Sequence, residues 1–103
     1  MMNKVGEYNA DALKRNVIRI DGHIETIGQA IIKERQLIFE NQRMIAQLEQ
    51  KEGTKTAIDQ LRATIDKANN NIILFDNEIK EQQEERFKLQ KMIASMEANG
   101  DKK

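Results

Sequence analysis

Glu49-Gln50-Lys51-Glu52-Gly53-Thr54-Lys55-Thr56 sits at the middle of the 103-residue chain and decides its fold. Around it lie two regular apolar series, and here the regularity is lost. The stretch is polar, and its glycine suits the left-handed backbone that follows a helix C-terminus. Thr56-Ala57-Ile58-Asp59 then offers the hydroxyl-x-x-acid arrangement of a helix start. The reading is a helix over 9–51, a turn over 52–55 around Gly53, and a second helix over 56–98.

Working outward from the turn, steps of three and four run back through Leu48, Ile45, Asn41, Ile38, Glu34, Ile31, Ile27, Ile24, Ile20 and Val17 to Leu13. On the other side they run through Ile58, Leu61, Ile65, Ala68, Ile72, Phe75, Ile79, Gln82, Arg86, Leu89, Ile93 and Met96. An apolar residue every 3.5 positions, sustained over five or six heptads, marks a coiled coil rather than an isolated amphipathic helix. No proline occurs anywhere in the chain to break such helices. With Val17, Ile24, Ile31, Ile38 and Ile45 as position a, the first series would place its next a at 59, whereas the second has it at Ile58. The two halves therefore do not form one uninterrupted heptad array.

A fold-back at Gly53 reconciles them. In an antiparallel pair each a faces a d, and the numbers of facing residues add to a constant. Setting Ile45 against Leu61 makes that constant 106, which then matches Ile38 to Ala68, Ile31 to Phe75, Ile27 to Ile79, Val17 to Leu89 and Leu13 to Ile93. The fold axis falls on Gly53. At the outer ends, Asn9 suits a helix cap, and Tyr8 with Leu13 has the spacing of a hydrophobic staple. Ala98-Asn99-Gly100 suits a stop, leaving 1–8 and 99–103 as tails. The expected fold class is all-α: an antiparallel helical hairpin of two long heptad-repeat helices, associating into a four-helix or larger bundle.

The bundle is expected because a two-stranded seam uses only a and d, and this chain carries more apolar surface than that. Ile32, Leu37, Phe39, Met44, Ile73, Phe87 and Met92 lie beside the seam and form the expected oligomer or partner interface. Burying one such side chain contributes about 1.5–3 kcal/mol, so several of them together rival the whole stability of an ordinary domain. Wide apolar faces of this kind belong to bundles of three or more helices.

Four polar residues interrupt the seam: Glu34, Asn41, Gln82 and Arg86. Single polar seam residues set register and oligomer state. In one hairpin Glu34 and Arg86 stand ~21 Å apart along the axis, so either both long side chains snorkel to water or they form a pair between subunits. Gly22 and Gly28 lie off the seam and suggest a bend or a close helix approach.

Composition narrows the function. Seventeen Lys and Arg balance seventeen Asp and Glu, and the balance holds within each half. The phosphate-neutralising charge that dominates nucleic-acid affinity is missing, as are aromatics for base stacking. Nucleic acid is therefore not an expected partner. The chain has no cysteine and a single histidine. His23, with only Asp21 and Glu25 near it in sequence, makes a poor metal shell, so no metal or cofactor is expected. Glu78, Glu81, Glu84 and Glu85 alternate with Lys80, Arg86, Lys88 and Lys91, which describes a solvated face rather than catalytic carboxylates in a pocket. No catalytic residue stands out, and no enzymatic activity is expected.

The N-terminal stretch lacks a signal-peptide apolar run, and no segment has the ~20 apolar residues of a membrane span. A cytoplasmic placement without membrane partners follows, with incorporation into a larger particle or signal-less export as the other routes. The expected role is a non-enzymatic structural or assembly protein, a self-associating coiled-coil scaffold or spacer within a larger protein complex. The alternative is a small helical chaperone or adaptor that binds a client protein helix through the apolar flank.

Overall fold

The computed structural model describes the backbone of residues 2–101 and the side chains of residues 10–99. It is an all-α antiparallel hairpin of two helices, α1 (Met2–Leu48) and α2 (Lys55–Asp101), each of 47 residues. The helices form because nothing in either arm stops them: no proline intervenes, and one apolar stripe per arm has a partner to bury against.

Every position of the two apolar series is buried or half-buried. Among the described residues the buried apolar ones are Ile20, Ile27, Ile31, Ile45, Ile58, Ala68, Leu89 and Ile93, joined by one polar residue, Asn41. Ala10, one heptad before Val17, is half-buried as well, so the stripe reaches back past Leu13.

The turn shows how the chain reverses. Glu49 N–H makes the last α-type bond of α1, to the Ile45 carbonyl at 2.8 Å, and Lys51 N–H tightens onto the Leu48 carbonyl at 2.9 Å. Gly53 then takes φ +74°, a left-handed conformation that costs an L-residue roughly 1–2 kcal/mol and a glycine almost nothing. Thr54 comes next. Its carbonyl accepts the Ile58 N–H at 3.0 Å, which makes it the N-cap residue of α2. Its hydroxyl donates backward to the Leu48 carbonyl at 2.8 Å and lies 3.1 Å from that of Lys51. One threonine thus opens the second helix while satisfying orphan carbonyls of the first.

These details correct the helix limits read from sequence. α1 ends at Leu48 and not at 51, and the turn occupies 49–54 rather than 52–55. α2 starts at Lys55, so Thr56 lies in its first turn and Thr54 takes the capping position. α1 already begins at Met2, so 2–8 continues the helix rather than forming a separate tail. A cap at Asn9 offers one hydrogen bond, whereas continuation adds one per residue. The Tyr8–Leu13 staple and the cap at Asn9 involve side chains outside the described residues. At the far end α2 passes through Ala98-Asn99-Gly100 to Asp101. α1 also runs unbroken through Gly22 and Gly28, and a Cβ built on either would meet no neighbouring atom within 4 Å. Neither glycine breaks the helix or marks a close approach.

The chain divides into two compact units, each containing part of both helices. Ile27–Glu78 holds the turn and its two flanking segments, with Ile27, Ile31, Asn41, Ile45, Ile58 and Ala68 buried. Met1–Thr26 with Ile79–Lys103 is the second unit, in which Ile20, Leu89 and Ile93 are buried.

Candidate interaction surface

With a in the series Val17 to Ile45 and Ile58 to Ile93, the residues beside the seam fall into two flanks. Successive residues turn by 100°, so e lies beside a on one flank and g lies beside d on the other. In an antiparallel pair, e of one arm neighbours e of the other, and g neighbours g.

The e flank is charged. In the turn-bearing unit Arg62 pairs with Glu49 at 3.7 Å. In the other unit Lys14 pairs with Glu97 at 3.5 Å, and Arg86 Nε donates to Asp21 Oδ1 at 2.5 Å. Lys14, Asp21, Glu49, Arg62 and Glu97 are all e positions. The numbers of the first two pairs both add to 111, slightly above the 106 of the seam layers. That offset follows from the heptad, because e lies four positions after an a and one after the d that faces it, which adds five to the sum. The ion pairs thus support the seam register independently of the burial pattern.

Arg86 is therefore engaged within its own chain. It occupies a seam position yet sends its guanidinium sideways to Asp21, with Nη1 also 3.4 Å from Gln90 Oε1. Within its own chain the Arg86 charge already has the Asp21 carboxylate beside it. Glu34, Gln82 and Arg86 are half-buried, whereas Asn41 is only 7% exposed. The Asn41 side-chain Nδ2 is buried and has no hydrogen-bond partner.

The seven residues expected at an interface are all exposed: Ile32, Leu37, Phe39, Met44, Ile73, Phe87 and Met92. They do not form one patch. Leu37, Met44 and Met92 are g residues beside the seam. Ile32, Phe39, Ile73 and Phe87 are b residues, further round on the e side. Ile18, at 71% the most exposed large apolar side chain among the described residues, and Leu74 join them. Ile18 was missed by sequence reasoning, although it follows Val17 as Ile32 follows Ile31 and Phe39 follows Ile38. That repeated b position was the available signal.

The two b-position phenylalanines carry a cation from the next turn of their own helix. Arg43 lies 6.0 Å from the centroid of Phe39, and Lys91 lies 5.0 Å from that of Phe87. Such contacts contribute ~0.5–1 kcal/mol at exposed sites and shield part of the ring. Open grooves run beside both rings, one lined by Ile32, Arg35, Gln36, Phe39 and Glu40, the other by Lys80, Gln83, Glu84, Phe87 and Lys88. Each involves residues of a single helix, and charged side chains border the apolar ones.

His23 is an exposed g residue and lines a small depression with Arg19, Ile20 and Gln82. Among the described residues no three His, Asp or Glu side chains gather as a metal site would require, and no helix is long and apolar enough to cross a membrane.

Comparison with known proteins leaves the geometry to speak alone: no family model, no curated protein and no solved structure matches the chain.

Proposed function

We propose that this protein is a non-enzymatic, self-associating scaffold or spacer, a helical hairpin that assembles with copies of itself as a structural component of a larger protein complex. One observation carries the reading. Among the described residues, nine large apolar side chains stand exposed on the two helices, from Leu37 at 38% to Ile18 at 71%. Two helices can hide only one stripe from each other, and the remainder is the kind of surface that a second layer of helices covers. The balanced charge of the chain allows copies to approach without net repulsion.

The test is the solution mass of the purified chain. Native mass spectrometry together with sedimentation equilibrium should show one oligomer of defined size without any added component. A monomer at 100 µM sinks the proposal. Methionines 44 and 92 on the flanks favour a second reading, an adaptor that holds a client helix, because the flexible thioether adapts to varied apolar partners. That reading predicts a monomer that forms a defined complex only with another protein.

A further inference from the structure

Resting on the self-association just proposed, we infer that the occupant of the g flank in the turn-bearing unit is a second copy of this chain, seated around Asn41. Three features of that flank converge. First, at the heights around Asn41 its g positions are uncharged where the opposite flank is not. There its residues are Leu37 and Met44 on α1 and Ala57, Thr64 and Asn71 on α2, with Ala30 and Glu78 following further from the turn, whereas the e flank of the same unit carries Arg35, Asp76 and the Glu49–Arg62 pair. A partner seated on the g positions around Asn41 desolvates none of the flank's own charge, since Glu78 lies one heptad beyond Asn71.

Second, the flank complements itself in size. Around Asn41, α1 offers large side chains, and α2 offers smaller ones at matching heights. In the 106 register Leu37 stands nearly level with Asn71, and Met44 with Thr64. A twofold axis parallel to the helices lays α1 of one copy on α2 of the other, so that large meets small at both contacts. Thr64 already spends its hydroxyl on the Gln60 carbonyl at 3.1 Å, which helps it accept an apolar neighbour.

Third, Asn41 is a buried amide in need of a partner. It lies one turn after Leu37 and one turn before Met44, so the three share a face. Within its own hairpin it is level with Ile65, which offers no hydrogen bond. Its Nδ2 is buried without an acceptor, a condition that native structures rarely leave unresolved. When four helices close through their g residues, the d residues point toward the bundle axis, so the twofold brings the two Asn41 side chains across from each other. An amide is donor and acceptor at once, so Nδ2 of each copy can meet Oδ1 of the other. Buried polar pairs of this kind select one oligomer over its competitors. Ala68, a d residue at nearly the same height and only 1% exposed, leaves room for them.

The experiment compares flank variants of the full chain by sedimentation equilibrium, with far-UV circular dichroism to confirm the helices. Met44→Glu and the milder Thr64→Glu should each weaken dimerisation at least tenfold, while Phe39→Glu and Phe87→Glu on the other flank leave it unchanged. As a proximity readout independent of folding cost, Met44→Cys chains mixed with Thr64→Cys chains should form an intermolecular disulfide. Asn41→Leu should replace the single dimeric mass with a mixture. A wild-type oligomer that survives Met44→Glu and Thr64→Glu but dissociates with Phe39→Glu overturns this inference and leaves self-association standing. A wild-type monomer, or assembly only with a different protein, overturns both.

Discussion

Replacing Gly53 by alanine should destabilise the hairpin even though the added methyl touches nothing. Its Cβ would meet no atom within 4 Å, so sterics against the rest of the chain contribute nothing and the backbone alone sets the cost. At φ +74° an L-residue gives up roughly 1–2 kcal/mol. Alanine recovers part of this by having fewer conformations to lose on folding, about 0.4–1 kcal/mol. The net expectation is a loss of ~1 kcal/mol. Gly22 and Gly28 provide the internal control. They too have open space around a built Cβ, but they lie inside α1, where alanine should add about 1 kcal/mol each. The same substitution therefore changes sign along one chain. In a domain of this size 1 kcal/mol moves the midpoint of melting by roughly 4–8 °C, well within reach of circular dichroism. The melts must share one protein concentration, because association shifts apparent stability. Gly53→Asn should lose less than Gly53→Ala, since asparagine tolerates the left-handed region better. If Gly53→Ala melts at or above the wild type while Gly22→Ala melts higher, residue 53 does not hold the left-handed turn and the reasoning fails.

Other perturbations test other links. Thr54→Val keeps the shape of the side chain but removes the hydroxyl bonded to the Leu48 carbonyl; it should cost ~1 kcal/mol in urea unfolding, and a neutral result would deny that bond a role in closing the turn. Ala68→Leu introduces bulk at the most deeply buried apolar position, 1% exposed, and should destabilise by about 1–3 kcal/mol; a more stable variant would reveal unfilled space in the seam. A double-mutant cycle on Asp21 and Arg86 should give a coupling of up to ~1 kcal/mol that shrinks in high salt, because both side chains are partly exposed. A larger, salt-insensitive coupling would mean that the pair is shielded from water.

The interface proposal depends on telling two kinds of exposed apolar residue apart. Phe39 and Phe87 are as exposed as Ile32 and Ile73, yet each ring has a cation beside it and charged residues around it. Leu37 and Met44 are less exposed but border the seam itself, next to a buried amide without a partner. Exposure alone would rank the phenylalanines first. Continuity with the seam and the absence of charge at the g positions around Asn41 rank that part of the g flank first.

Periodicity by itself determined the all-α class, the two arms, the reversal at Gly53 and the identity of the seam. Apolar residues spaced at 3.5 admit one buried face, and every seam position from Leu13 to Met96 is accordingly buried or half-buried. The sequence also showed that more apolar surface exists than one hairpin can hide. Its limits appeared where several local solutions compete within a fraction of a kcal/mol. Thr54 and Thr56 are both acceptable caps, and only the position of the Leu48 carbonyl within reach of Thr54 selects between them. Asn9 is an acceptable cap as well, but helix propagation carries α1 past it. The partner of Arg86 was hidden for a related reason. Heptad labels say which residues face the seam, but a long side chain at a seam position can leave it sideways, and the carboxylate it finds at Asp21 belongs to the opposite arm. Likewise, one-dimensional spacing marks Asn41 as a polar interruption, whereas only the packed helices show that its Nδ2 is enclosed and without a hydrogen-bond partner. Burial and hydrogen-bond satisfaction are properties of what surrounds a group, and those surroundings exist only once the two arms have come together.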